Sequence, residues 1–267
     1  MFKKICMAVL TAAIAATAGV QEIKITGSTT VLPIAQKTAE VFMNRYPDVR
    51  ISVGGGGSGV GVAALIDGTC DIADSSRSMK SKEIQSAAAK GVNPKANVVA
   101  LDGIAVIVNS SNRIENLTMQ QVKDIYTGKI SNWSQAGGNN AKIVVVSRDI
   151  ASGTFEAFNE LALGGGRVRR DALMQASNQA VATTVSQTPG GIGYVGLGYI
   201  SGSVKAVSID GVKPSKKTVL SRSYIYARPL FMYTDGEPKG TIKRYIDFVT
   251  GKEGQKLVEK IGFVGID

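Results

Sequence analysis

The chain has 267 residues, enough for one large domain or two lobes of ordinary size, and 44% of them are apolar, enough for a substantial core. Its formal charge is +10, with two cysteines and no histidine. That last fact excludes Ser-His-Asp and Cys-His machinery and every histidine-based metal site, and two cysteines cannot build a Cys-based zinc site.

The first residues read as a secretory signal. Lys3 and Lys4 form a basic start, Ile5 to Val20 is apolar and alanine-rich, and Ala16-Thr17-Ala18 fits a cleavage site. A membrane span needs roughly 20 apolar residues, more than this run offers. The expectation is a signal over 1–18, cleaved near Ala18, and a mature protein in the periplasm carrying about +8. Cys70 is then the single thiol, with no intrachain partner, and reads as a small buried residue. A basic protein attracts anions. Scattered Lys and Arg and 6% aromatics do not make a base-stacking platform, so no nucleic-acid partner is expected.

Residues 22–26 alternate as a short strand. Gly27-Ser28-Thr29-Thr30 follows, then a helical pattern from Val31 to Tyr46 with Pro33 in its first turn, stopped by Pro47. Val49 to Val53 is a second strand, Gly54 to Gly59 a turn, and Val60 to Asp67 a helix ended by Gly68. Asp71 to Ala73 is a third strand running into Asp74-Ser75-Ser76-Arg77, and a helix spans Ser81 to Lys90. This alternation predicts a parallel α/β sheet. Val98 to Val108 reads as a buried strand, Thr118 to Tyr126 as a helix, Ile143 to Val146 as a strand, and Thr154 to Leu163 as a helix after a turn over Ser147 to Gly153. Pro189 to Tyr194 turns into a strand, Tyr224 to Tyr233 is strand-like, and two helices near Thr241–Thr250 and Gly254–Lys260 finish the pattern. Chain crossings fit near Ile104–Val108 and Ser221–Tyr233. They divide the chain into lobe 1 (19–105 and 221–267) and lobe 2 (106–220), with a ligand expected in the cleft between them.

Three turns share one design, following a strand, carrying hydroxyls and glycines, and preceding a helix. They are Gly27-Ser28-Thr29-Thr30, Gly57-Ser58-Gly59, and Arg148 through Ser152-Gly153-Thr154. Helix starts offer unpaired N–H groups to phosphate-like anions, and Arg148 adds a planar charged fork. Ordinary helix capping explains any one of these turns; three of them, one beside an arginine, favour an anion site. Gly54 to Gly59 also fits G-x-G-x-x-G, a weak signal in a run so rich in glycine, and no P-loop pattern is present. Arg77 has two readings, contact with the anion or a pair with Asp74, and Trp133 reads as structural.

The set resembles the phosphate-binding protein of phosphate ABC importers, a periplasmic substrate-binding family. The resemblance rests on Ile25 to Pro33, Gly56 to Gly61, Asp71 to Arg77, Ile125 to Ile130 with Asn132-Trp133, Ser147-Arg148 with Ser152-Gly153-Thr154, and Pro189 to Tyr194, in order over nearly the whole mature chain. It implies a two-lobed, type II-like periplasmic-binding-protein fold that closes over one phosphate, with a membrane permease as partner, no cofactor, no metal and no enzymatic activity. It carries ligand contacts onto Thr29, Thr30, Ser58, Arg148, Ser152, Gly153 and Thr154. The position where best-known members hold a proton-accepting aspartate falls on Ser76. Asp74 or Asp149 is then the candidate carboxylate, and phosphate over sulfate stays open. The rival readings are a phosphatase-like enzyme, a binder of another oxyanion such as sulfate, and a charge-driven nucleic-acid or surface role. A monomer is expected.

Overall fold

The structure is a computed structural model and describes residues 20–266. The expected signal and its cleavage site lie outside the described residues.

In chain order, β1 (Gln21–Gly27), α1 (Leu32–Arg45), β2 (Val49–Gly56), α2 (Ser58–Ile66), β3 (Ile72–Ser75) and α3 (Ser81–Ala89) form three strand–helix units. The 16-residue β4 (Pro94–Asn109) follows. Then come β5 (Asn116–Leu117), α4 (Met119–Thr127), β6 (Val144–Arg148), α5 (Gly153–Phe158), β7 (Leu173–Gln175) and α6 (Asn178–Gln187). They are followed by β8 (Gly191–Gly196), β9 (Val204–Ala206), β10 (Ser208–Ile209) and α7 (Lys216–Leu220). The last elements are β11 (Ala227–Asp235), α8 (Gly240–Thr250) and α9 (Lys252–Lys260). Among the described residues no helix is long and apolar enough to cross a membrane.

β4 organises the molecule. Its first part, Pro94 to Gly103, pairs antiparallel with β11, and from Ile104 onward its partner is β8. The sheet path is β2-β1-β3-β11-β4-β8-β6-β7. The parallel sheet expected from the β-α-β-α pattern is therefore mixed. Strands are parallel within each half, and β11 and β4 run antiparallel between them. The core divides at the same place. Ile23, Ile25, Phe42, Leu230 and Tyr245 pack on one face of the first half, and Val62, Leu65, Ala73 and Phe231 on the other. Ile104 to Val108, Tyr126, Phe158 and Tyr194 form the core of the second half, where the Phe158 and Tyr194 rings stack at 4.0 Å. Burial of such side chains, at about 1.5–3 kcal/mol each, is what holds each half together.

Some boundaries differ from the sequence pattern. The strand expected from Tyr224 begins at Ala227, because Tyr224 and Tyr226 turn into the core and the Tyr224 hydroxyl donates to Ile104 O at 2.9 Å. The helix expected over Thr154 to Leu163 is α-helical only to Phe158 and finishes as a wider turn over Asn159–Leu163. α6, α7 and the short strands β5, β7, β9 and β10 have no counterpart in the sequence reading. Trp133 is buried, its Nε1–H donating to Gly190 O at 3.0 Å, and Cys70 is buried as expected.

Candidate functional site

β1, β2 and β3 lie side by side and parallel, so the first two turns, which leave β1 and β2, meet the end of β3 at one edge. Gly27 holds them together. Its φ is +142°, and a Cβ there would sit 2.2 Å from Asp74 O, so only glycine fits. Ser28 N donates to Asp74 O at 2.8 Å, and Gly57 N donates to Gly27 O at 2.8 Å.

The hydroxyls of the first two turns are not all spent on capping. At the first turn Ser28 Oγ does that work, accepting from Thr30 N at 3.1 Å and Val31 N at 3.4 Å. Thr29 and Thr30 are left to face the other half. Thr30 Oγ1 lies 2.7 Å from Thr154 Oγ1, and Asn178 Nδ2 donates to Thr29 Oγ1 at 3.1 Å and to Thr30 Oγ1 at 3.0 Å. Ser58 Oγ accepts from Ser76 N at 3.0 Å and lies 3.3 Å from Ser76 Oγ, so this serine too is not a cap. Ser152 is one, accepting from Phe155 N at 3.1 Å. All of these hydroxyls are buried.

The third turn reaches across from the second half. Gly59 N donates to Ala151 O at 3.0 Å. A Cβ on Gly153 would lie 2.2 Å from Ser58 Oγ and 2.8 Å from Ser76 Oγ. Small residues let the second and third turns touch here, and the eight residues Thr29, Thr30, Ser58, Ser76, Arg148, Ser152, Gly153 and Thr154 gather at one junction.

Arg148, at the end of β6, is 1% exposed. Its backbone N donates to the Tyr194 hydroxyl at 3.2 Å, its Nε donates to Gln175 O at 2.9 Å, and its Nη2 donates to Ala176 O at 3.0 Å. Nη1 is buried with no partner among the described residues. Burial pulls the guanidinium below its usual range, Asp149 opposes that, and a second cation, Arg228, adds to it.

Arg228 on β11 and Asp102 on β4 went unread in the sequence. Arg228 Nε and Nη2 donate to Asp102 Oδ2 at 3.2 and 2.9 Å. Nη2 also donates to Thr154 Oγ1 at 3.0 Å and Thr30 Oγ1 at 3.4 Å, and Nη1 donates to Ser76 O at 3.1 Å and Gly153 O at 3.4 Å. Asp102 Oδ1 accepts from Leu197 N at 2.9 Å. Burial opposes the charge on both partners, raising the Asp102 carboxyl and lowering the Arg228 guanidinium, and their mutual contacts offset only part of it. Arg148 and Arg228 against Asp102 leave one net positive charge in a buried, hydroxyl-lined junction. A cleft of about 450 Å³ opens beside Ser76 and Arg228 and runs out past Arg77, Lys80 and Glu156.

Two carboxylates considered from the sequence lie elsewhere. Asp74 is fully buried and neither of its side-chain oxygens is bonded among the described residues. Burial alone pushes its carboxyl well above the usual range, and neither Arg148 nor Arg228 contributes a shift; its charge would be felt by Tyr245 and Cys70 instead. Asp149 is partly exposed and closes its own turn, Oδ1 accepting from Ala151 N at 2.9 Å. Arg77 pairs with neither Asp74 nor the junction hydroxyls. Its Nη2 meets Glu83 Oε1 at 2.7 Å and its Nε meets Glu156 Oε2 at 2.6 Å. Asn178 was missed with its helix, although Ser177 ahead of Val181, Ala182 and Val185 carries a cap-and-stripe signal, and Ser177 Oγ does accept from Ala180 N.

The sequence profile of the PBP superfamily domain matches residues 12–253. The phosphate-binding protein PstS of Bacillus subtilis (strain 168) is 34% identical over 247 residues, which cover 91% of this chain and 80% of that protein. PstS of Borreliella burgdorferi is 32% identical, covering 91% of this chain and 90% of that one. Among solved structures, a phosphate ABC transporter substrate-binding protein from Clostridium perfringens with bound phosphate superposes with a TM-score of 0.86 at 35% identity. It is covered in full by 92% of this chain. With that fold and these relatives, the chain belongs to the PBP superfamily and, within it, to the family of phosphate-binding proteins.

Proposed function

We propose that this chain binds inorganic phosphate between its two halves and presents it to the membrane permease of an ABC-type importer. One observation carries the reading: Arg148 Nη1 is buried without a partner among the described residues, beside a second buried guanidinium and a single carboxylate. An unpaired cationic N–H in the core is costly, and a tetrahedral oxyanion relieves it. The names of the relatives and the phosphate held by the C. perfringens protein favour phosphate as that anion.

In this reading Thr29, Thr30, Ser58, Ser76, Ser152 and Thr154 supply hydroxyls, Gly153 admits the anion to the backbone, and Arg148 supplies charge. Lobe 1 comprises 19–105 and 221–267, lobe 2 comprises 106–220, and the cleft between them closes on the ligand. The protein works outside the cytoplasm as a monomer after loss of 1–18. It binds and does not hydrolyse: the chain has no histidine, and Asp102, which shares Arg228 with the Thr30 and Thr154 hydroxyls, is held by Arg228 and Leu197 N and is not free to act as a base.

Isothermal titration of ligand-stripped protein with phosphate, arsenate and sulfate tests the reading. Heat with phosphate is expected, and Arg148→Ala is expected to cost about 1.5–3 kcal/mol, roughly ten- to hundredfold in affinity. Silence with phosphate on folded protein rejects it.

A further inference from the structure

Arg228 and Asp102 face each other as a paired position of the two crossing strands, β11 and β4. The arginine is used for its shape. Its Nη1 donates to Ser76 O in the first half and to Gly153 O in the second, so one planar group spans the junction. A positive charge comes with that shape, because a guanidinium stays protonated. The charge reaches the anion site, since Arg228 is among the groups that pull the Arg148 guanidinium down. Two buried cations side by side would hold an anion far more tightly than one, in surroundings where water screens little.

Asp102 offsets that second charge with both of its oxygens already engaged. Oδ2 accepts from Arg228 Nε and Nη2, and Oδ1 accepts from Leu197 N. Gly196 lets the carboxylate come close behind the first turn: a Cβ there would lie 3.0 Å from Asp102 Oδ2 and 2.9 Å from Thr30 Cγ2. Asp149, the other carboxylate that acts on Arg148, is partly exposed, and water weakens its effect. We infer that Asp102 is a charge-setting residue: it cancels Arg228, leaves Arg148 as the one uncompensated cation of the junction, and holds phosphate affinity below what two guanidiniums would give.

The inference rests on the phosphate-binding reading and adds what limits the affinity. It holds for either charged form of phosphate, since both are anions. Affinity differences between related complexes lie mostly in the release rate, so the restraint shortens the time for which cargo is held. A carrier that hands its ligand on gains from that. The sign of the effect separates this role from a structural one. An ion pair that only braces the crossing strands weakens binding when it is broken, whereas a carboxylate that restrains the site tightens binding when its charge is removed.

Asp102→Asn removes the charge, nearly keeps the size, and leaves an oxygen to accept from Arg228. Titration of ligand-stripped protein with inorganic phosphate is expected to give an affinity about fivefold or more tighter than the parent's. The ligand-free variant is expected to melt below the parent, because Arg228 loses its counter-charge and two cations then repel each other in the core. Melts over a series of phosphate concentrations keep the test open for a variant too unstable to titrate, since a ligand raises Tm in proportion to how far its concentration exceeds Kd. Phosphate should then raise the Tm of Asp102→Asn by more than it raises the parent's at every concentration. An affinity equal to or weaker than the parent's, or a smaller rise in Tm, overturns the role of Asp102 and leaves phosphate binding standing. A variant that stays unfolded in saturating phosphate overturns it as well, because the ligand then fails to replace the lost carboxylate. Absence of phosphate binding in the parent removes both this inference and the function it rests on.

Discussion

Asp74 sits in the core with both carboxyl oxygens unbonded among the described residues, and burial holds its pKa well above the usual carboxylate range. The consequence for stability has a definite sign. An acid whose folded pKa is raised is neutral in the native state but ionised in the unfolded chain above about pH 4, so stability falls as pH rises through that window. Asp74→Asn is expected to raise Tm by several degrees at pH 8 and to have little effect near pH 4, in parallel melts of variant and parent. Phosphate affinity should be unchanged by it, since neither arginine of the junction shifts this carboxyl. At this scale the sequence was readable where a residue sits in a strand–turn–helix frame. Arg148, Ser58 and Gly153 stand out from their neighbours in that way. Arg228 and Asp102 do not: they lie inside strands, 126 positions apart, and only the pairing of β11 with β4 brings them together. Asn178 and the threonines to which it donates are separated by almost 150 positions.

Strand–helix units of the first half were legible because each repeats a short apolar strand, a glycine turn and an apolar helical stripe. β4 was read too short, since its first residues are largely exposed and look like loop, although β11 pairs with them from Pro94 onward. α6 was missed because its ten residues hold no charge and two threonines, a poor local match to a helix that its packing against β8 nevertheless stabilises. The first turn of α5 shows how an element can be tuned to its neighbour. Gly153 opens that helix with ordinary backbone angles, so alanine there suits the helix itself, but a Cβ would strike Ser58 Oγ. Gly153→Ala is therefore expected to leave the unliganded melting temperature within about 2 °C of the parent and to weaken phosphate roughly tenfold or more by calorimetry, because the two turns no longer meet.

The two halves are also joined at the rim of the cleft by ions. Glu156 of the second half meets Arg77 Nε at 2.6 Å and Lys80 Nζ at 2.9 Å, and Glu83 shares Arg77. Glu156 and Arg77 are mostly shielded from solvent, while Lys80 is 55% exposed, so the Arg77 contact is the stronger of the two. If closure forms these contacts, Glu156→Gln should weaken phosphate about three- to tenfold, and the deficit should shrink as salt is raised, which titrations at low and high ionic strength measure. The overall architecture was legible from the order of motifs, and the mixed sheet was not, because antiparallel crossing strands leave no mark on local periodicity. One buried side chain has a practical consequence for watching this molecule at work. Trp133 bonds to Gly190 at the entry of β6 and β8, whereas the anion junction lies at the exit of β6, about 13 Å further along the strand at 3.3 Å per residue. As the sole indole of the chain it dominates the ultraviolet emission. That light reports whether the second half is folded and is silent about cargo: guanidinium should red-shift it, and saturating phosphate should leave its maximum where it was.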